Sequence, residues 1–134
     1  MKKFIGFIMI ITFISCNQNT EYKNIKEEKV DIKTLLIKNL TKKFGEPIKT
    51  MKESKFYDVY EWLSFDTEFG RSMKNEIDKT LNILPQKENT EFDKSTIIDT
   101  YSWETPQVLV ILIHSFDEVD GKIKSYIKLK INLK

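Results

Sequence analysis

The sequence predicts an α+β domain, an antiparallel sheet of about four strands with two helices packed on one face, in the order α-β-α-β-β-β. In residues 30–44 and 69–84, apolar residues recur about every four positions, which is the period of a buried helix face. Four other segments are apolar or alternate with a period of two, which is typical of strands. They are residues 56–65, 95–103, 108–116 and 123–133.

The first helix has the clearer boundaries. Its apolar stripe is formed by Ile32, Leu36, Leu40 and Phe44. Asp31 is placed to cap the N-terminus. Gly45 and Pro47 end the helix, because glycine suits a left-handed C-terminal cap and proline cannot continue a helix.

The second helix follows Asp66 or Thr67, either of which can cap it, and ends at Pro85. Its stripe is formed by Phe69, Met73, Ile77, Leu81 and Leu84. Gly70 falls in the first turn, where glycine costs about 1 kcal/mol relative to alanine.

The strands differ in their pattern. Residues 108–116 are apolar nearly throughout, which predicts a central strand. In residues 123–133 apolar residues alternate with polar ones, which predicts one buried and one solvated face. Residues 56–65 have large apolar groups on both sides, which indicates cover on both faces, and residues 86–94 are predicted to be a polar loop.

The start of the chain has the pattern of a secretory signal. Lys2 and Lys3 precede an apolar run over residues 4–14, and polar chain follows Cys16 directly. The run is shorter than the roughly 20 apolar residues that a membrane span needs. A leader that is removed or modified therefore fits better than a transmembrane helix.

Phe13, Ile14 and Ser15 before Cys16 resemble the lipobox of bacterial lipoproteins, in which a bulky apolar residue, a variable residue and a small residue precede an invariant cysteine. The resemblance implies that a diacylglyceryl group alkylates the Cys16 thiol. It also implies cleavage between Ser15 and Cys16 and acylation, for example by palmitate, of the new amino group. An ordinary secretory signal with an incidental cysteine is the alternative.

The resemblance divides the chain into three parts. Residues 1–15 are the signal peptide, residues 16–29 are the lipidated cysteine and a polar tether, and residues 30–134 are a single domain. Asn17, where aspartate would favour inner-membrane retention, implies export to the outer membrane. We expect a protein of the cell envelope, held on the membrane by lipid.

Composition excludes some classes of partner. The 134-residue chain has 22 basic and 20 acidic residues, and removal of Lys2 and Lys3 with the leader leaves 20 of each in 119 residues. A neutral mature chain gives no reason to expect nucleic acid as a partner. With Cys16 lipidated, no disulfide is possible, and the core must hold by packing.

No residue pattern indicates catalysis or a metal site. His114 is the only histidine, no Gly-x-Ser-x-Gly motif occurs, and we expect no cofactor. The acidic segment 117–121 is a calcium candidate, but it lacks the length of an EF-hand loop, and its Asp-Gly pair favours a plain hairpin.

Two aromatic pairs are the candidate binding surface. Tyr60 with Trp62, and Tyr101 with Trp103, each lie two positions apart and so share a strand face. If exposed, the rings would form a platform for a sugar or a protein partner. The alternative, which we favour, is that they fill the core beneath the helices.

A second resemblance concerns the domain. A predicted helix is followed by a Gly-x-Pro motif and then by a strand that contains a tryptophan; the residues are Leu40, Phe44, Gly45, Pro47 and Trp62. This order is similar to that of small outer-membrane-assembly lipoproteins and of the β-lactamase-inhibitor-protein fold. It implies a small binding domain. We therefore expect a non-enzymatic accessory subunit of an envelope complex that binds another macromolecule. An immunity or inhibitor lipoprotein against a toxin or hydrolase, and a small hydrolase, are the alternatives.

Replacing Cys16 tests the anchor. We expect Cys16→Ala to accumulate as an unlipidated precursor with residues 1–15 attached, because the thiol that accepts the lipid is gone. Mass spectrometry of the intact protein and membrane fractionation are the measurements. A Cys16→Ala protein that still matured and remained with membranes like the parent would contradict the lipoprotein interpretation.

Overall fold

A computed structural model describes residues 31–134 as two helices and one six-stranded sheet. The helices are α1 (Ile32–Phe44) and α2 (Phe69–Leu81). The strands are β1 (Lys49–Glu53), β2 (Tyr57–Ser64), β3 (Lys87–Asp93), β4 (Thr96–Glu104), β5 (Val108–Val119) and β6 (Lys122–Leu133). The leader, Cys16 and the tether lie outside the described residues.

The predicted sheet of about four strands and the order α-β-α-β-β-β are wrong, although the domain is still α+β. The observed order is α-β-β-α-β-β-β-β, and the sheet has six strands in the order β1-β2-β6-β5-β4-β3. The two missed strands are β1 and β3, which form the edges. Every residue of both is exposed, so neither has the apolar alternation by which the others were predicted.

All neighbouring strands are antiparallel, and their register separates two faces of the sheet. Both helices pack on one of them, which we call the helix face. Its buried side chains include Trp62, Trp103, Val108, Val110, Leu112, Ile127, Leu129 and Ile131. The opposite face, which no described element covers, is called the open face.

Helix α1 has the predicted ends. The Asp31 carboxylate accepts a backbone N–H of the first turn at 3.3 Å. At the other end Gly45 has a φ of +82°, a conformation that glycine adopts without a Cβ penalty, and its N–H donates to the Thr41 carbonyl at 2.9 Å. Leu36 and Leu40 are fully buried, so the stripe faces the sheet.

A tryptophan from the sheet binds each helix. The Trp62 indole N–H donates to the carbonyl oxygen of Gly45, at the end of α1, over 2.9 Å. The Trp103 indole N–H donates to the Asp78 carboxylate on α2 over 2.7 Å. Both side chains are buried, and a buried N–H without a partner would cost about 1–3 kcal/mol.

Helix α2 touches β5 at Gly70. A Cβ built at position 70 would lie 1.9 Å from His114 Nδ1 and 2.2 Å from its Cγ. Because real contacts are never that short, the imidazole occupies the space that any other residue at 70 would need. This close packing accounts for a glycine in the first turn of the helix.

We expect Gly70→Ala to destabilise the fold by about 1–3 kcal/mol, because overpacking a tight contact outweighs the better helix propensity of alanine. Urea unfolding is the measurement. His114→Ala supplies the control, since in that background the added methyl group has room and Gly70→Ala should be neutral or stabilising. A stabilising Gly70→Ala in the parent would contradict the packing account.

Candidate interaction surface

The structure places the four predicted aromatic residues on the helix face. Trp62 and Trp103 are buried, while Tyr60 and Tyr101 are partly buried at the border of the core. The ring centroids are 6.3 Å apart in the first pair and 6.2 Å in the second. Burial raises the pKa of both tyrosines. The tryptophan rings therefore belong to the core, which is the alternative that the sequence favoured, and they do not form an exposed platform.

His114 lies on the helix face beneath α2 and is 2% exposed. Burial lowers its pKa to about 4, and the neighbouring Asp99 opposes this shift only weakly. Its Nε2 has no hydrogen-bond partner among the described residues. Within residues 31–134 no three histidine, cysteine, aspartate or glutamate side chains are grouped to hold a metal. The arrangement fits a neutral histidine that packs in the core.

The open face has a buried charge that sequence reasoning missed. Glu61 is 6% exposed, and its Oε1 lies 3.7 Å from Lys128 Nζ. Burial raises the pKa of Tyr126 to about 12, and its hydrogen bond to Glu61 adds to the shift. Glu61 and Lys128 are directly opposed on β2 and β6. This pair neutralises charge in the middle of the open face.

Exposed apolar side chains gather at the end of the sheet that carries the β5–β6 turn. Between 39% and 66% of each is exposed. We call the group the hairpin-end surface; it comprises Ile48, Leu63, Phe65, Val119 and Ile123. Ile48, Leu63 and Val119 line an open depression of about 530 Å³, and Phe65 and Ile123 line a second one of about 550 Å³. Clustered exposed apolar groups mark interaction sites more often than isolated ones do.

Charged groups border the hairpin-end surface. Asp66, Glu118 and Asp120 are exposed carboxylates beside it, and Lys122 and Lys124 line its depressions. None of these five forms an ion pair with another described residue. An apolar centre with a charged border is the usual anatomy of a protein interface.

The turn in this surface has the geometry that the Asp-Gly pair predicts. Asp120 and Gly121 have φ angles of +53° and +73°, and two positive φ values are typical of the tight type I′ hairpin. The apolar residues beside it were hard to identify from sequence. The sequence predicts Phe65 in a strand covered on both faces, whereas it lies just beyond β2 and is exposed.

Comparison with known proteins gives no family. No family model and no curated protein matches the chain. ORF-99 from the archaeal virus AFV1 matches with 15% identity and a TM-score of 0.32, over 57% of this chain and 76% of that one. ORF14 from Sulfolobus islandicus filamentous virus matches with 13% identity and a TM-score of 0.36, over 88% and 97%. Likenesses this low support no inference about function.

Neither helix of the described domain is long and apolar enough to cross a membrane.

His114 should make stability depend on pH. Its folded pKa of about 4 lies below the ordinary 6.5, so the unfolded chain takes up a proton first as pH falls. The contribution of neutral His114 to the free energy of unfolding is complete above pH 6.5. It is lost as the pH falls towards 4, and the loss amounts to at most roughly 3 kcal/mol.

His114→Phe keeps a flat ring against Gly70 and removes the titrating group. We expect urea unfolding between pH 7 and 4 to show a smaller loss of stability in His114→Phe than in the parent. The carboxylates titrate in both proteins, so the difference between the two pH dependences of stability is due to protonation of His114. Equal pH slopes would show that His114 does not titrate as a buried neutral group.

Proposed function

We propose that the chain is a non-enzymatic, lipid-anchored protein of the cell envelope that binds another macromolecule as an accessory subunit of an envelope complex. The sequence of residues 1–16 supports the anchor, and the hairpin-end surface supports binding. The outer membrane is the proposed location, by the identity of Asn17.

The anchor would hold the domain close to the membrane. Two or three acyl chains make attachment effectively permanent, because each buried methylene contributes about 0.8 kcal/mol. Residues 17–29 are the polar tether that the sequence predicts, and thirteen residues are a short connection. The domain would therefore stay within a short distance of the bilayer.

The single observation that carries the binding function is the hairpin-end surface. The chain enters the domain at α1, where Lys33 forms an ion pair with Asp58 at the start of β2. Phe65 follows the other end of that strand, about 23 Å away at 3.3 Å per residue. The start of the described domain and the hairpin-end surface therefore lie at opposite ends of the sheet.

An immunity or inhibitor lipoprotein is the second candidate. The observation that favours it is that carboxylates outnumber lysines in the border, three (Asp66, Glu118 and Asp120) to two, and a cationic toxin or hydrolase would contact these carboxylates. In that case, binding should weaken steeply with salt and Glu118→Gln should slow association, because border charges act chiefly on the association rate. An accessory subunit held by apolar contacts should show little of either effect.

Photocrosslinking in cells tests the surface. A benzophenone amino acid at position 65 should give a discrete adduct of constant mass. Leu63→Asp should lower its yield at least tenfold, because losing a central apolar anchor costs an interface about 2 kcal/mol or more, which is roughly thirtyfold in affinity. Position 84 is the matched control, since Leu84 is also an exposed apolar residue but lies beyond the other end of α2.

Binding at this surface would be contradicted if the adduct from position 65 had the same yield in the Leu63→Asp protein. It would also be contradicted if positions 65 and 84 gave equal yields of adduct. No adduct at all would have the same meaning. The Cys16→Ala experiment tests the anchor separately, so either half of the proposal can fail without the other.

A further inference from the structure

Strand β3 has one edge that no strand within residues 31–134 pairs with. In this part of the chain β3 pairs with β4 alone, it is the last strand of the sheet, and all of its residues from Lys87 to Asp93 are exposed. An open edge exposes backbone N–H and C=O groups to which another strand can bind. Natural proteins usually guard such an edge with charges, so the arrangement of the charges on β3 decides what it can accept.

The hairpin geometry shows which backbone groups of β3 face outward. Asp93 and Thr96 are opposed across the two-residue turn of Lys94 and Ser95, and the residues that flank such a turn bond to each other. Backbone groups alternate along a strand, so those of Glu88, Thr90 and Phe92 point away from β4. They form a ladder open to a partner strand.

We propose that β3 pairs with β3 of a second copy of this chain, antiparallel and centred on Thr90. This register joins the outward backbone groups, because Thr90 faces its own counterpart and Glu88 faces Phe92. On the open face, Lys87 comes opposite the second copy's Asp93, and Asn89 comes opposite its Glu91. Opposite charges and threonine pairs across strands are stabilising, and no like charges are directly opposed.

The two charges at the ends of β3 are free to make the proposed contact between Lys87 and Asp93. Lys87 and Asp93 form no ion pair with another described residue. The other edge strand, β1, also has a lysine and a glutamate at its ends, but its Glu53 is already paired with Lys130 of β6. Strand β1 is also shorter, with 5 residues against 7. The self-complementary edge is therefore β3.

Phe92 gives a further reason for a partner. It is 76% exposed, more than any other large apolar side chain of the described residues. On the helix face of the proposed pair, its ring would lie across the second copy's Thr90 and Glu88. A ladder of this length buries little surface compared with the 1,200–2,000 Å² typical of stable complexes, so we expect a weak dimer and choose a covalent test.

The test uses the full-length chain in cells under mild oxidation. With Thr90→Cys, each copy places a sulfur opposite its counterpart, with Cα atoms about 5.5 Å apart, within the range that a disulfide accepts. Met51→Cys, at the centre of β1, is the matched control, and the parent reports any dimer formed through Cys16. We expect the Thr90→Cys protein to give about tenfold more disulfide dimer than the Met51→Cys protein or the parent.

Charge reversal then tests the register. In the Thr90→Cys protein, Lys87→Asp alone or Asp93→Lys alone should reduce the dimer about fivefold, and the two together should restore it. The two positions lie about 20 Å apart within one strand, so rescue must come from contact between copies.

Any of three results would overturn the proposal. The Thr90→Cys protein could give no dimer, it could give the same yield as the Met51→Cys protein, or the double charge reversal could fail to restore the dimer. Circular dichroism of the purified variants checks that the fold is kept. The edge of β3 is separate from the hairpin-end surface, so the inference does not rest on the proposed function.

Discussion

Two buried indole N–H groups determine how this domain is layered. Trp62 donates to the carbonyl at the end of α1, and Trp103 donates to Asp78 on α2, which is also paired with Lys74 at 2.9 Å. Each bond satisfies a group that would be costly to bury alone, and each bond requires its helix to lie on the same side of the sheet. The rings that looked most suited to binding a partner are therefore the ones that hold the helices in place.

The exposure of the hairpin end has two causes. Helices of 13 residues are about 20 Å long, whereas strands of 12 residues extend about 40 Å. Helix α2 begins against His114, so β5 and β6 continue beyond it to their turn, and Ile123 on the helix face has no helix above it. Leu63 and Val119 lie on the open face, where neither helix packs. Apolar residues are thus left exposed on both faces of the sheet at this end.

The sequence was informative wherever a pattern is local. The caps at Asp31 and Gly45 and the apolar central strand β5 could be predicted because each depends on neighbouring residues. The edge strands β1 and β3 could not, since a strand exposed on both faces needs no apolar alternation. The contact between Gly70 and His114 could not be predicted either, because the two residues belong to elements that are far apart in the sequence. The anchor, in contrast, depends on sequence alone.

The two proposed contacts impose a geometry on each other. Antiparallel pairing through β3 has a two-fold axis perpendicular to the sheet, so the hairpin-end surfaces of the two copies point in opposite directions and both helix layers lie on one side. If both copies are anchored as proposed, both can reach the same membrane when the two-fold axis is perpendicular to it, because the starts of the two domains then lie at the same height and the strands lie along the membrane plane. Each hairpin-end surface would then face sideways, towards a partner held in or on the same membrane. That orientation suits a subunit of a membrane complex better than a receptor for a soluble toxin arriving from above.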